Sequence, residues 1–171
     1  THKLLAPLAG RAVYLHALDH VREARIGPVV VVTGAAPLDL PTADDVLAVH
    51  NASWAEGQAT SLHAGLLVAE QLGATYAVVG LADQPGVPPA AWQAIAEAPP
   101  TWNVVVASYD GRRGPNPVRL HRSVWPELPV HGDEGARPLM RRRPELVHEI
   151  SCLGTAHDID TLEDLQRWTS S

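Results

Sequence analysis

Three short apolar runs limit the fold of this chain more than any other feature. Residues 29–32 read VVVV, residues 76–82 read YAVVGLA and residues 103–108 read NVVVAS. Each run is short, rich in β-branched residues and apolar at consecutive rather than alternate positions. That is the pattern of a strand covered on both faces. Stretches of helical period separate them. Residues 12–24 set Val13, Leu15, Ala17, Leu18 and Val21 at helical spacing, and Gly27 with Pro28 ends the helix. Residues 59–72 do the same with Leu62, Leu66 and Ala69, and Gly73 is the stop. Pro88 and Pro89 open a third helix through Trp92 and Ile95.

The remaining chain continues this alternation. Further strands are expected at 46–49, 118–120 and 146–150, and the 76–82 run is expected to stay extended up to Asp83. Residues 110–117, DGRRGPNP, read as a loop. A short helix is expected within 133–143, acids first and bases last, and a terminal helix over 160–168. Strands alternating with helices predict a three-layer α/β domain with a mostly parallel sheet. No repeat, linker or low-complexity segment interrupts it, so residues 1–171 read as one domain.

Composition removes several functions. The net charge of -6 speaks against a general nucleic-acid binder, which carries positive charge. No apolar stretch has the ~20 residues of a membrane helix, so no membrane partner is expected. Cys152 is the single cysteine, which leaves no internal disulfide framework and suits a reducing cytoplasm.

Polar residues gather in loops that follow predicted strands, where open α/β sheets bind their ligands. Residues 51–61, NASWAEGQATS, offer Asn51, Trp54, Gln58, Thr60 and Ser61, with Gly57 permitting close backbone approach. This loop runs into a helix N-terminus, whose N–H groups can receive an anion. The alternative is that Asn51 and Ser61 only shape a turn and a cap. Asp83 follows an apolar run and precedes Gln84, Pro85 and Gly86, which fits a metal ligand or a turn carboxylate. In AHDID, residues 156–160, an extended chain would point Asp158 and Asp160 the same way, although Asp160 could equally cap the last helix. Two or three carboxylates with room for substrate phosphates suit Mg²⁺. Zinc spacings such as HExxH or CxxC are absent, and so is GxSxG.

Five segments occur in order: NASWAEGQATSLHAGL (51–66), LADQPGVPP (81–89), GPNPVRLHRSVWPEL (114–128), GDEGAR (132–137) and DIDTLEDL (158–165). Together they resemble the MobA-like nucleotidyltransferases, and most of all the branch that contains molybdenum-cofactor cytidylyltransferase. The resemblance implies a Rossmann-like fold and Mg²⁺-dependent transfer of a nucleotide, CMP from CTP in that branch, onto a phosphorylated acceptor such as molybdopterin cofactor, with release of pyrophosphate. A molybdenum hydroxylase apoenzyme is a further partner it implies. Asp83 would be the central metal ligand, with Asp158 and Asp160 completing the site. Asn51, Gly57, Gln58, Ser61 and Gln84 would contact the nucleotide, and Asn116, Pro117, Asp133 and Arg137 the acceptor.

Two departures stand out. Such enzymes usually begin with a strand and a glycine-rich loop, roughly LAAGxSxRMGxxK. Here Lys3 matches the motif's lysine, and the strand and glycines before it are not among the 171 residues, which therefore read as an N-terminally incomplete domain. GPNP also stands where the branch more often has a GHP-like triplet. Two other readings of the same fold are a nicotinamide-dependent oxidoreductase, which the lack of a complete GxGxxG opposes, and a non-catalytic nucleotide- or cofactor-binding chaperone.

Overall fold

A computed structural model describes residues 2–169, leaving aside the side chains of Leu162 and Thr169. In chain order the elements are β1 (Pro7–Leu8), β2 (Arg11–Ala12), α1 (Val13–Glu23), β3 (Val29–Thr33), β4 (Val46–His50), α2 (Gln58–Gln71), β5 (Tyr76–Val79), α3 (Pro89–Ala96), β6 (Val104–Tyr109), β7 (Arg112–His121), α4 (Arg137–Arg142), β8 (Val147–Ser151) and α5 (Leu162–Thr169), with short 3-10 turns between some of them.

The four-stranded sheet has the order β5-β7-β6-β8. β6 and β8 are parallel, while β7 runs antiparallel to both β5 and β6. Three of the four strands therefore run the same way, and β7 alone is reversed. β6 shows why this is a three-layer structure. Val104 and Val106 point into a core with Leu66, Leu120, Trp125 and Leu139. Val105 and Ala107 point the opposite way, against Ile95 and Ala98. Strand alternation thus feeds two cores, one on each face.

β3 and β4 form a separate parallel pair, with α2 packed on β3. Among the described residues, β3 and β5 each have one hydrogen-bonded neighbour. A cavity of about 760 Å³ runs between them, walled by Val30, Val31 and Val32 on one side and Ala77, Val78 and Val79 on the other.

Two sequence expectations change. β5 ends at Val79, and residues 80–86 form turns before Asp83 and after it. Gly80 and the sharp Asp-Gln-Pro-Gly sequence favour turning over extension. Residues 112–117, expected as loop, belong to the long strand β7. Its prolines sit where the ladder with β6 is interrupted: pairing slips between Val106 and Ser108, opposite 114–117. A bulge is where a strand tolerates proline. The Asn116–Pro117 peptide is cis.

The first and last described segments meet. The β1–β2 hairpin turns through Ala9 and Gly10, both at positive φ. Leu8 and Val13 pack with Ile159 and Leu165. This small cluster fixes the N-terminal segment against the segment that precedes α5, which brings Lys3 to its partners.

Candidate functional site

The first part of the site lies where β5 and β8 run out. Asp83 is 9% exposed, and its backbone carbonyl accepts a hydrogen bond from Ile159 N at 2.9 Å. That bond ties the turn after β5 to the segment after β8. Ile159 is buried while Asp158 and Asp160 on either side are exposed. The alternation expected of an extended stretch is present, and it aims both carboxylates at Asp83. Oxygens of Asp83, Asp158 and Asp160 lie within 4.8 Å of one another.

The partners of these carboxylates are unequal. Asp158 Oδ1 accepts from Gln84 Nε2 at 2.6 Å. Lys3 Nζ lies 2.6 Å from Asp83 Oδ2 and 2.7 Å from Asp160 Oδ1. Burial opposes the Lys3 charge, but its hydrogen bonds to Asp160 and Asp83 outweigh that and hold the ammonium above its ordinary pKa. Asp83 Oδ1 is buried with no partner, as is Gln84 Oε1. Buried oxygens without donors are costly, and a carboxylate with one unsatisfied oxygen, clustered with two more acids, is the donor set a hard cation requires. Lys3 already supplies positive charge at this place. The residues present therefore fit a divalent metal.

The second part is made by residues 51–61 and 131–137. Asn51 is buried and fully engaged: its Nδ2 donates to Thr60 Oγ1 and Ser61 Oγ, and its Oδ1 accepts from Ser53 N. Gly57 has φ 116 and ψ 168, a region open in practice only to glycine. A Cβ there would stand 2.5 Å from Gly132 O, so the close approach is made by the chain's own backbone. Ala59 N donates to Gly132 O at 2.9 Å and Gln58 N to Asp133 Oδ1 at 3.3 Å. The first donors of α2, expected to be free for an anion, are thus met from within by a carbonyl and a carboxylate.

The cavity joins the two parts. Gln58, Ser61, Asn116 and Arg137 line it, and so do Gly80, Leu81 and Ala82; Asp83 is the next residue in the chain. Asn51, Gly57 and Pro117 are buried outside this lining, and the exposed Asp133 holds the Gln58 backbone. Asn116 is held by Tyr109, whose hydroxyl donates to the Asn116 carbonyl at 2.8 Å. Trp54 is 47% exposed and covers Gly34, so it is not a core residue. Arg113 is paired with Glu149, and 141–143 lie beside Glu134, Glu127 and Glu145.

Sequence reasoning missed two supports. Gln84 is expected against the nucleotide, and its amide also pins Asp158. Ile159 was unremarked, yet an apolar residue between two acids in an extended run is the signal that both acids face out together.

Comparison with known proteins places this geometry. The family model of the MobA-like NTP transferase domain matches residues 1–148. The chain is 28% identical over 179 residues to nicotine blue oxidoreductase of Paenarthrobacter nicotinovorans, covering 96% of this chain and 86% of that protein. Among solved structures, Rv0371c from Mycobacterium tuberculosis superposes with TM-score 0.81 at 29% identity, covering 100% of this chain and 90% of that one. A manganese complex of the same protein matches with TM-score 0.78 at 29% identity, over 99% and 92% of the two chains. A nucleotidyl transferase from Methanothermobacter shares the fold, with TM-score 0.81 at 23% identity over 98% and 83%.

Proposed function

The chain belongs to the MobA-like NTP transferase domain family, a nucleotidyltransferase by that membership, and from this premise we propose that it moves CMP from CTP onto a phosphorylated acceptor of the molybdopterin-cofactor kind. The observation that carries the reading is the convergence of Asp158 and Asp160 on Asp83, which is next in the chain to the cavity-lining Ala82, with Asp83 Oδ1 unpartnered. Asp83, Asp158 and Asp160 would hold the divalent cation, Mg²⁺ in this reading. That Rv0371c forms a complex with manganese supports the choice of a divalent ion.

In the proposed reaction an acceptor phosphate oxygen attacks the α-phosphorus of CTP in line. The bond to the β-phosphate bridging oxygen breaks, and pyrophosphate leaves with that electron pair. When bound, the cation would act as Lewis acid and template for the phosphates. The protein's own part is positional and electrostatic. Lys3 offers an ammonium to phosphate oxygens. Gln84 holds Asp158 in place. Gln58 and Ser61 line the nucleotide side of the cavity, and Asn116 and Arg137 line the acceptor side. The 171 residues act as one domain in this account. No helix among the described residues is long and apolar enough to cross a membrane, and a cytoplasmic site of action goes with the reading.

The test is pyrophosphate release from CTP, GTP and ATP in the presence of molybdopterin cofactor as the phosphorylated acceptor, with and without Mg²⁺, paired with calorimetric titration of each nucleotide. Mg²⁺-dependent turnover of CTP, abolished by a chelator, is the expected result. Turnover of GTP or ATP in its place would keep the chemistry and overturn the choice of base. The name of the Paenarthrobacter relative and the mostly apolar cavity wall favour a second reading, a nicotinamide-dependent oxidoreductase. Oxidation of reduced nicotinamide without any pyrophosphate release would establish it.

A further inference from the structure

Lys3 sits where a cation belongs. Its Nζ bridges one oxygen of Asp83 and one of Asp160, at 2.6 and 2.7 Å. A Mg²⁺ ion held by these same two oxygens, Asp83 Oδ2 and Asp160 Oδ1, would need the place that Nζ now takes. Like charges so close, in a partly buried place, repel strongly. The ammonium is also insufficient by itself. One positive charge faces three carboxylates, and Asp83 Oδ1 is left without a donor although Asp83 is 9% exposed.

Composition sharpens this. Lys3 is the chain's one lysine, and all other members of its 13 Lys+Arg are arginines. A guanidinium locks a carboxylate through a rigid fork, whereas an ammonium is a compact charge on a flexible stem. The side chain of Lys3 is 42% exposed, so it has a way out. Its backbone is fixed: Ala6 N donates to the Lys3 carbonyl, and the following hairpin packs on Ile159 and Leu165. A fixed backbone with a mobile stem is what a reversible counter-ion needs.

Resting on the metal reading above, we propose that Lys3 is the resident counter-ion of the acidic cluster and that Lys3 and a divalent cation exclude one another there, so that cation entry releases the ammonium to meet the anionic groups of the substrate. The cluster then has a counter-charge in both states, a single one from the ammonium and a double one from the cation, and the phosphate-facing charge is delivered only once the cation is in place.

Two measurements on the whole protein test this without any turnover. Protein made with isotope-labelled lysine gives one side-chain ammonium signal from these residues, that of Lys3. Titration with Mg²⁺ alone is expected to move it from the paired to the solvated position. Calorimetry with Mn²⁺ is expected to give roughly tenfold tighter binding in Lys3→Met, since removal of a charge-assisted bond discounted for exposure is of that size. Lys3→Arg is expected to bind Mn²⁺ more weakly than wild type. An ammonium signal unmoved at saturating Mg²⁺ would overturn the exchange, as would equal or weaker Mn²⁺ binding in Lys3→Met, while the metal site stands. Absence of Mn²⁺ binding in both proteins would overturn the metal site and the exchange together. Binding in Lys3→Met but not in wild type would support the exchange in its strongest form.

Discussion

The two parts of the candidate site are built on opposite plans. At the acidic end, Asp83, Asp158 and Asp160 are aimed by backbone elements, and their bonding capacity is left open: Asp83 Oδ1 and Gln84 Oε1 have no partner. In the other part, Asn51 is closed on Ser53, Thr60 and Ser61, Gly57 packs on Gly132, and the amide donors of Gln58 and Ala59 that start α2 are taken by Asp133 and Gly132. The first arrangement awaits an external charge. The second fixes a surface. The comparison teaches which substitutions act on chemistry and which on shape. Removing an open group should change rate or affinity with little effect on folding, and removing a closed group should do the reverse.

The largest effect is expected at Asp83. Asp83→Ala should lower pyrophosphate release by ~10²–10³, the usual loss for one well-placed electrostatic partner, while the circular dichroism spectrum and melting cooperativity are kept. Normal turnover in a folded Asp83→Ala protein would break the comparison at its acidic end. Next is Gly57→Ala. Its backbone conformation excludes a side chain, and the new methyl would meet a carbonyl oxygen of the backbone. A cost of about 2–3 kcal/mol is expected, which for a chain of this size lowers Tm by about 4–10 °C. The destabilisation should be accompanied by little change in Mn²⁺ affinity.

Gln84→Ala sharpens the same contrast. Gln84 has one committed atom and one open atom, so it belongs to both plans. Loss of its bond to Asp158 should weaken Mn²⁺ binding by roughly tenfold, as when a residue that orients a metal ligand is removed, and should cost about 1 kcal/mol of stability. A stability loss with unchanged Mn²⁺ affinity would reassign Gln84 to the closed set.

The sequence carried the acidic end better than the closed one, and local order explains why. Asp83 sits in a turn after a strand, and Asp158 and Asp160 alternate about a buried Ile159; both features can be read within a few residues. The partnership of Lys3 with Asp160 spans 157 positions and depends on a terminal hairpin too short to show as a pattern. The capping of α2 by Gly132 and Asp133 is also remote, with 75 positions between Gln58 and Asp133. The strands show the same limit. VVVV at 29–32 and VVVA at 104–107 look alike. β6 lies between β7 and β8, and Val104, Val105, Val106 and Ala107 are at 0% exposure. β3 is paired on one side only and stays half-buried throughout. A run of valines specifies a strand, but its neighbours decide how deep it lies. In 112–117 the glycine and prolines look like a loop for a sound reason, and only the bulge opposite them makes the strand possible.

The smallest effect separates the two plans most finely. α2 begins at Gly57, which has no side chain to cap it, and Asp133 supplies from elsewhere the carboxylate that a capping residue would normally give. Its bond to Gln58 N is long, at 3.3 Å, and Asp133 is exposed, so solvent and salt screen it. Asp133→Ala should therefore cost only about 0.5–1 kcal/mol. Asp133→Asn keeps an acceptor oxygen and loses the charge that favours a helix N-terminus, so it should lie between wild type and Asp133→Ala. The gap between Asn and wild type should shrink as salt is raised, because only that part is a charge effect. If Asp133 instead meets the acceptor directly, both variants should raise the acceptor KM by more than their small stability losses could explain. Thermal melts at low and high salt, together with acceptor KM for the same proteins, decide between a residue that only closes the loop onto α2 and one that also reaches the substrate.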